Sequence, residues 1–534
     1  VKQYADQPAF YLPSQTKNFT VTYKQFAEDV DSLGSALIHS KQKSKRIGII
    51  GKNSYEWALV YFAVMNGAGI AVSLDKELSA KELRDSIQRV KIDTLFYSDD
   101  VAEKVLSTKN QGIVKTYIPM TISSQGQTIH HLVEEGKQLL RDGYQDYRRI
   151  TINPDAMAAL LFTSGTTSQS KIVMLSHRNI VSNVVNGAAH FNLDTKDKFL
   201  SVLPMHHMFE CTAGFLAALN SGCSIYFSQG IRHIAQELKE QKPTVVVCVP
   251  RVIDALSTKI WKGIREQNKE KTVRKAMIVT NLLDRLGIHL KRKLFGKIHK
   301  ELGGNIRFFL SGAASINQAT AQDMIDLGFT IFQGYGLTEC SPAVSISYPG
   351  NNDMDSVGPP LDDTKILIHK PDADGNGEIL VKGPQVMLGY YHDSAATKHT
   401  TYKDYFRTGD IGYIKENGSL KIIGRLKNVI VTSSGKKIYP EELEALLLQC
   451  PVIKDVVVHG IEHNHGMQIC ASIVLVDSDR VGQKHSNEKL AKRHIKAINE
   501  DLAKYEQIHT IKIRDTDFVR TSTLKIKRHQ LSKA

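Results

Sequence analysis

Nine residues, Thr163-Ser164-Gly165-Thr166-Thr167-Ser168-Gln169-Ser170-Lys171, sit between two apolar runs at 160–162 and 172–175. Hydroxyls and backbone N–H groups at that density can wrap phosphate oxygens, and Lys171 adds a point charge. The spacing does not fit GxxxxGK[ST], so a Walker-type P-loop is excluded; a polar hairpin loop is the plain alternative. A second cluster is Phe332-Gln333-Gly334-Tyr335-Gly336-Leu337-Thr338-Glu339, and near it in character is Ser311-Gly312-Ala313-Ala314 at the end of another apolar run. Glycines there let backbone approach a flat ligand, Tyr335 offers a stacking face, and Glu339 offers a carboxylate for Mg²⁺. In Arg407-Thr408-Gly409-Asp410 a carboxylate on a turn could accept both hydroxyls of a ribose. Gly424-Arg425-Leu426-Lys427-Asn428 and Thr521-Ser522-Thr523-Leu524-Lys525-Ile526-Lys527-Arg528 are basic. Each of these last three, taken alone, is as readily a turn or a charged face.

Such groups need a frame. Apolar strand patterns at 46–50, 69–74 and 94–97 alternate with helical patterns at 55–65 and from Ser79, where Ser79-Ala80-Lys81-Glu82 forms a capping box. The rhythm returns at 199–203, 224–227, 244–249 and 306–310. It predicts an α/β fold, a large N-terminal domain of doubly wound parallel sheets covered by helices. After about Asp362 the pattern shortens: runs at 364–369 and 378–381 flank the hairpin signal Asp374-Gly375-Asn376-Gly377, and 419–423 adds a strand. That predicts a β-rich subdomain at about 345–424. Beyond Arg425 come a helix with Pro440 at its first position, strands near Val456 and at 471–476, and a helix near 488–501. The expected division is an N-terminal domain, 1–424, and a small mobile α+β domain, 425–534.

The 534 residues are 42% hydrophobic and 23% charged, which excludes collagen-like, coiled-coil and largely disordered chains. Six scattered cysteines without a CxxC pair make no disulfide scaffold and no Cys-based zinc site, and fit a reducing compartment. The net charge of +14 is uneven, with 14 Lys and Arg against 4 Asp and Glu between Arg251 and Lys300. One basic segment on a near-neutral remainder points to an anionic ligand or membrane, or to a solvated helical face, rather than to nucleic acid. Residues 1–10 carry no signal-peptide pattern, and 57–74 reads as a buried helix and strand. A cytoplasmic chain with peripheral membrane contact through 251–300 is expected; oligomeric state is open.

In this order, the motifs resemble those of the adenylate-forming superfamily of acyl-CoA synthetases, luciferases and peptide-synthetase adenylation domains, over essentially the whole chain. The chain is most like the long-chain fatty acyl-CoA synthetases. Leu203-Pro204-Met205-His206-His207-Met208-Phe209-Glu210 is similar to their Leu-Pro-x-x-His-x-Phe-Glu, the basic insert before Gly303 to their extra helical region, and the end of the chain to their terminal lysine motif. The resemblance implies an ATP-dependent acid–thiol ligase for medium- to long-chain fatty acids that forms an acyl-AMP and transfers the acyl group to CoA. It implies roles by position. Thr163, Ser164, Gly165, Thr166, Thr167 and Lys171 grip the phosphates. Gly312, Ala313, Gly334, Tyr335 and Gly336 line the adenine and acyl sites. Thr338 touches the α-phosphate, Glu339 the Mg²⁺, and Asp410 and Arg425 the ribose. Lys427 is the hinge, Lys525 the adenylation lysine, and Gly435 and Lys436 meet CoA. His207 either lines the acyl pocket and moves between half-reactions, or is a packed core histidine. A carrier protein as acceptor, an adenylate-former without CoA, and a non-enzymatic sensor are the rival readings. The phosphate loop departs from the family's Thr-Gly-x-Pro-Lys-Gly at Ser168 and Ile172, and Ile172 is expected to resist any positive φ the glycine there would need.

Overall fold

Val245–Cys248 and Thr94–Tyr97 are buried at every position, as strands covered on both faces must be. They belong to two large sheets. In one, the parallel strands Pro8–Leu12, Ser224–Phe227, Lys198–Ser201, Val245–Cys248, Phe308–Ser311 and Ile331–Gly336 lie side by side in that order. In the other, Thr116–Pro119, Thr94–Tyr97, Lys45–Ile50, Gly69–Leu74 and Met157–Phe162 do the same. The computed structural model describes residues 2–12, 19–40, 45–109, 112–121, 126–163, 170–432, 436–463, 466–476, 481–520, 526–528 and 531. Of the residues singled out above, 164–169, Gly435 and 521–525 lie outside the described residues.

Both sheets are mixed rather than purely parallel. Ile172–Ser176 runs antiparallel to Met157–Phe162, and Ala343–Ile346 antiparallel to Ile331–Gly336. The cause is connection length. A parallel crossover takes about a dozen residues or more, and the stretches 163–171 and 337–342 are too short for one. Helices cover the sheets as expected. Ala80–Val90 starts in the Ser79 capping box, and His177–Ala188 starts in a second one, made by Ser176 and Asn179.

The carboxyl ends of the parallel strands carry Asn53, Asp75, Thr163, Leu203, Gly312 and Gly334, which is where open α/β sheets bind ligands. Asn53 ties the two sheets together there: its Nδ2 donates to Ser201 Oγ (3.0 Å) and Leu203 O (2.7 Å), and its Oδ1 accepts from Met205 N–H (2.9 Å).

The third sheet is antiparallel and built from Lys365–His369, Gly377–Lys382, Tyr405–Ile414, Thr401–Tyr402 and Leu420–Arg425. Its expected hairpin forms, with Asp372 Oδ1 accepting from the N–H groups of Asp374 (3.1 Å) and Asn376 (2.9 Å). The sheet pairs Asp410 directly with Arg425 across two strands. Past Arg425, Ile453–His463, Gly466–Leu475 and Ile508–Arg514 form a three-stranded sheet with helices Pro440–Leu447 and Val481–Asp501 and a separate apolar core. Asn317 Nδ2 donates to Leu448 O (3.0 Å), joining this smaller domain to the larger.

Candidate active site

Thr163 N–H donates to Lys171 O (2.9 Å), closing the stem of the hydroxyl-rich loop at the end of its hairpin. Arg89, on helix Ala80–Val90, donates to Ser170 O (2.7 Å) and braces the stem from the side. Lys171 Nζ lies 4.4 Å from the centre of the Tyr390 ring, and Tyr390 OH donates to Glu339 Oε1 (2.9 Å). One aromatic side chain therefore joins the stem to Glu339, its hydroxyl pushed far up by burial and then by the carboxylate. Nothing in the sequence marked Tyr390; it arrives on Gly389–Tyr390, a two-residue strand added to the edge of Ile172–Ser176.

Ile172 corrects an expectation. It is the first residue of its strand, has no positive φ, and is buried in a cluster with Leu160 and Val72. Packing explains this isoleucine, and the strain expected of it is absent. Positive φ falls instead on Ala313 (φ 69°), where the chain turns out of Phe308–Ser311. A non-glycine residue held there marks a locally constrained backbone at a ligand-binding edge.

Asp410 is 3% exposed. Its Oδ2 accepts from Tyr335 OH (2.6 Å), its Oδ1 from Arg425 Nε (2.8 Å), and its own N–H donates to Thr408 Oγ1 (3.0 Å). Burial and then Asp410 raise the Tyr335 hydroxyl well above the ordinary tyrosine value, so it remains a donor. The structure thus groups Tyr335, Asp410 and Arg425, which the sequence held in three separate motifs. The glycines have different reasons. A Cβ on Gly336 would fall 2.0 Å from Pro342 O, so its own chain forbids a side chain. A Cβ on Gly334 would meet nothing closer than 3.6 Å, so what it leaves open is ligand space.

That space is an apolar cavity of about 80 Å³. Gly312, Ala313, Gly334, Tyr335 and Gly336 line one end, and Phe199, Val245 and Phe308 line the other. Those last three sit side by side in register at the amino ends of their strands. Helix His177–Ala188 forms another wall, and Asn183 Nδ2 locks it to Ala343 O (2.7 Å) and Cys340 O (3.2 Å). The π-helical turn Glu210–Leu216 supplies Thr212 and Ala213, and the residue before it, Phe209, presses its ring toward Gly312. His207 is two residues short of that wall. It is half-buried against His206, ring centres 4.2 Å apart, and is not among the lining residues.

Glu339 fits Mg²⁺ chemically: it is a partly exposed carboxylate joined through Tyr390 to Lys171, and Mg²⁺ takes one or two carboxylates plus substrate phosphates. Lys427 lies in the turn Leu426–Asn428 just after Arg425, its ammonium lowered by burial and then by Arg425. Lys436 Nζ is 5.8 Å from the Tyr505 ring centre.

The structure thus gathers a hairpin stem ending in Lys171, a buried carboxylate with two donors on it and an apolar cavity lined by Tyr335. The chain belongs to the AMP-binding enzymes: the family model described as AMP-binding enzyme matches residues 1–391, and that of the AMP-binding enzyme C-terminal domain matches 427–534. It is an AMP-forming acid–thiol ligase. Among curated relatives it is 31% identical to long-chain-fatty-acid–CoA ligase 5 of Rattus norvegicus over 96% of this chain and 82% of that protein. It is also 31% identical to long-chain-fatty-acid–CoA ligase 1 of Homo sapiens over 82% of this chain and 67% of that one. The fold matches the anthranilate CoA ligase AuaEII in complex with anthranoyl-AMP (TM-score 0.81, 17% identity, 100% of this chain and 95% of that one). It also matches the Bacillus subtilis O-succinylbenzoate coenzyme A synthetase in complex with ATP and magnesium ion (TM-score 0.74, 23% identity, 98% and 96%).

Proposed function

We propose that the chain activates medium- to long-chain fatty acids with ATP, forming an acyl-AMP and pyrophosphate, and then transfers the acyl group to CoA with release of AMP. The observation that carries this is the cavity: it is lined almost wholly by apolar side chains, and its glycine-lined end includes Tyr335, whose hydroxyl donates to Asp410. An acyl chain filling it leaves its carboxylate beside the nucleotide groups. Asp410 and Arg425 hold the ribose, with Tyr335 against the adenine. Residues 163–171 and Lys171 hold the phosphates, and Thr338 meets the α-phosphate. When bound, Mg²⁺ at Glu339 neutralises phosphate charge. Lys525 donates to the oxygens on which charge gathers as the carboxylate attacks, the kind of fixed donor that lowers such barriers most.

The second half-reaction rests on rotation of the domain 425–534 about Lys427, which withdraws Lys525 and brings Gly435 and Lys436 to the pantetheine arm. Lys527 supports the first orientation. After the Ser79 hydroxyl and backbone, it contributes to holding the Glu82 carboxyl below its usual range, so Lys527 itself lies near the helix that carries Arg89. His207 adjusts the wall that Phe209 forms.

The basic segment is proposed to meet anionic membrane. Of helix Glu270–Arg285, Met277 and Thr280 are buried, whereas Ile278, Val279 and Leu282 are exposed, as are Leu286, Ile288 and Leu294 beyond it. Apolar side chains held in water among lysines and arginines suit an anionic lipid surface, where fatty acids partition. The test of the whole reading is pyrophosphate release across a series of fatty acids, with and without CoA. Release that depends on a fatty acid, with thioester formed only when CoA is present, is the expected result. Release with no thioester would leave a different acceptor, and no release at all would remove the reading.

A further inference from the structure

Asp75 follows the strand Gly69–Leu74, and His206 and His207 follow Lys198–Ser201, so the three come from the carboxyl ends of different sheets. Asn53, which bridges those sheets, holds Leu203 and Met205 and so fixes the chain leading to the histidines. One ligand atom from each of Asp75, His206 and His207 lies within 4.8 Å of the other two. The His206 side chain is 6% exposed, and its buried Nε2 has no hydrogen-bond partner among the described residues and lies 3.5 Å from Asp75 Oδ1. A buried imidazole nitrogen ordinarily finds a partner. The 3.5 Å is long for N–H···O, yet close to the separation of about 3.3 Å between two ligands at about 2.0 Å from one tetrahedral ion. Bringing the widest pair to that spacing takes at most about 1.5 Å of side-chain movement. Met205 and Met208, on either side of the histidine pair in the chain, are both buried.

We propose that Asp75, His206 and His207 bind a zinc-class divalent cation, with a fourth position left open. Two imidazoles and a carboxylate suit zinc and its transition-metal neighbours, and discriminate against Mg²⁺, which prefers oxygen ligands throughout. The site is therefore separate from Glu339. Its occupation has a consequence: a metal on His206 and His207 pins residues 204–209, and Phe209 at the end of that stretch is a wall of the cavity. Zinc acts as a reversible inhibitor by fixing a wall that turnover needs to move. The binding stands without the proposed reaction; the inhibition rests on it.

The full chain, stripped of metal, is titrated with Co²⁺ and then with Zn²⁺ against a chromophoric chelator. One equivalent of Co²⁺ should give the strong visible absorption of a four-coordinate site and be displaced by one equivalent of Zn²⁺. Zn²⁺ should raise the Tm of the wild type, as a ligand of the folded state must. His206→Ala, His206→Gln and Asp75→Asn should keep the metal-free Tm, lose the cobalt band and weaken zinc by more than the roughly 10–100-fold that loss of an outer-shell partner costs. Without zinc, His206→Gln should match the wild type in fatty-acid-dependent pyrophosphate release, and it should resist zinc that inhibits the wild type. Cobalt absorption and zinc affinity unchanged in all three variants, or no zinc bound by the wild type, would overturn the site. Zinc bound at this site with activity unaffected would overturn the inhibition alone.

Discussion

The Glu210 side chain is fully buried beneath the cavity wall and accepts from Leu203 N–H at 3.3 Å, and its Oε1 has no hydrogen-bond partner among the described residues; burial pushes its carboxyl up to about 8. The folded chain then holds a proton that the unfolded chain has lost, so this contribution to stability is complete below the unfolded carboxyl value of 4.5 and is lost as pH rises toward 8. Across that window the wild-type Tm should fall relative to Glu210→Gln, which keeps the shape without the charge. Parallel curves would mean that Glu210 is ionised in the fold. Gly334 gives a second residue-scale test. An added methyl meets no protein atom closer than 3.6 Å, so Gly334→Ala should keep its Tm yet lose about 10–100-fold in kcat/KM for fatty acid, because displacing a substrate by about 1 Å costs on that order. A lower Tm would show that the glycine serves the fold instead. At this scale the sequence was informative about types and silent about partners. It displayed Tyr335, Asp410 and Arg425, whose meeting required two sheets to form. It could not display Tyr390, whose value comes only from lying between Lys171 and Glu339. The concern over Ile172 came from setting it against the glycine of the family's loop motif, although it also heads the apolar run 172–175.

Elements were more legible than contacts. Ser79 and Asn317 cap the helices that follow them, and Pro440 opens its helix as expected. Short buried strands were visible as apolar runs, but their two faces were not distinguishable. Phe308, Leu310 and Gly312 face the cavity while Phe309 between them packs into the core, and alternation carries no signal when both faces are buried. The helix Glu270–Arg285 posed the opposite problem: its charge was plain in the sequence, whereas the exposure of Ile278, Val279 and Leu282 was not. Vesicles containing anionic lipid should bind the chain, with each engaged Lys or Arg contributing on the order of 1 kcal/mol and added salt weakening the association. Leu282→Gln with Leu286→Gln should weaken binding severalfold without touching activity on soluble short acids. Equal binding to neutral vesicles, or none to either, leaves the segment as a solvated face.

At the scale of the whole chain, the two proposed half-reactions should separate by mutation. Lys525→Ala should cut fatty-acid-dependent pyrophosphate release by about 10²–10³, the usual cost of removing a fixed donor from developing charge. Given ready-made acyl-AMP and CoA, that variant should form thioester near the wild-type rate. Gly435→Leu should do the reverse. If Lys525→Ala slows both halves alike, rotation of the terminal domain is not how this chain divides its work. The domain order was legible because each part has its own periodicity and core, while contacts between them, such as Asn317 with Leu448 and Tyr439 with Asp372, rest on residues that look like any helix cap, helix end or turn. The cavity runs along the strands of the larger domain, from Gly312 at the carboxyl end of one to Phe308 at the amino end of the same strand. Four residues of extended chain span about 13 Å, so the sheet's own rise sets a length standard for what can be accommodated. The stacked rings of Phe191 and Phe308, 5.0 Å apart, stand at the far mark. Under the proposed function, an acyl tail that stops short of them is measured by backbone geometry, and a longer one by how readily those two rings part.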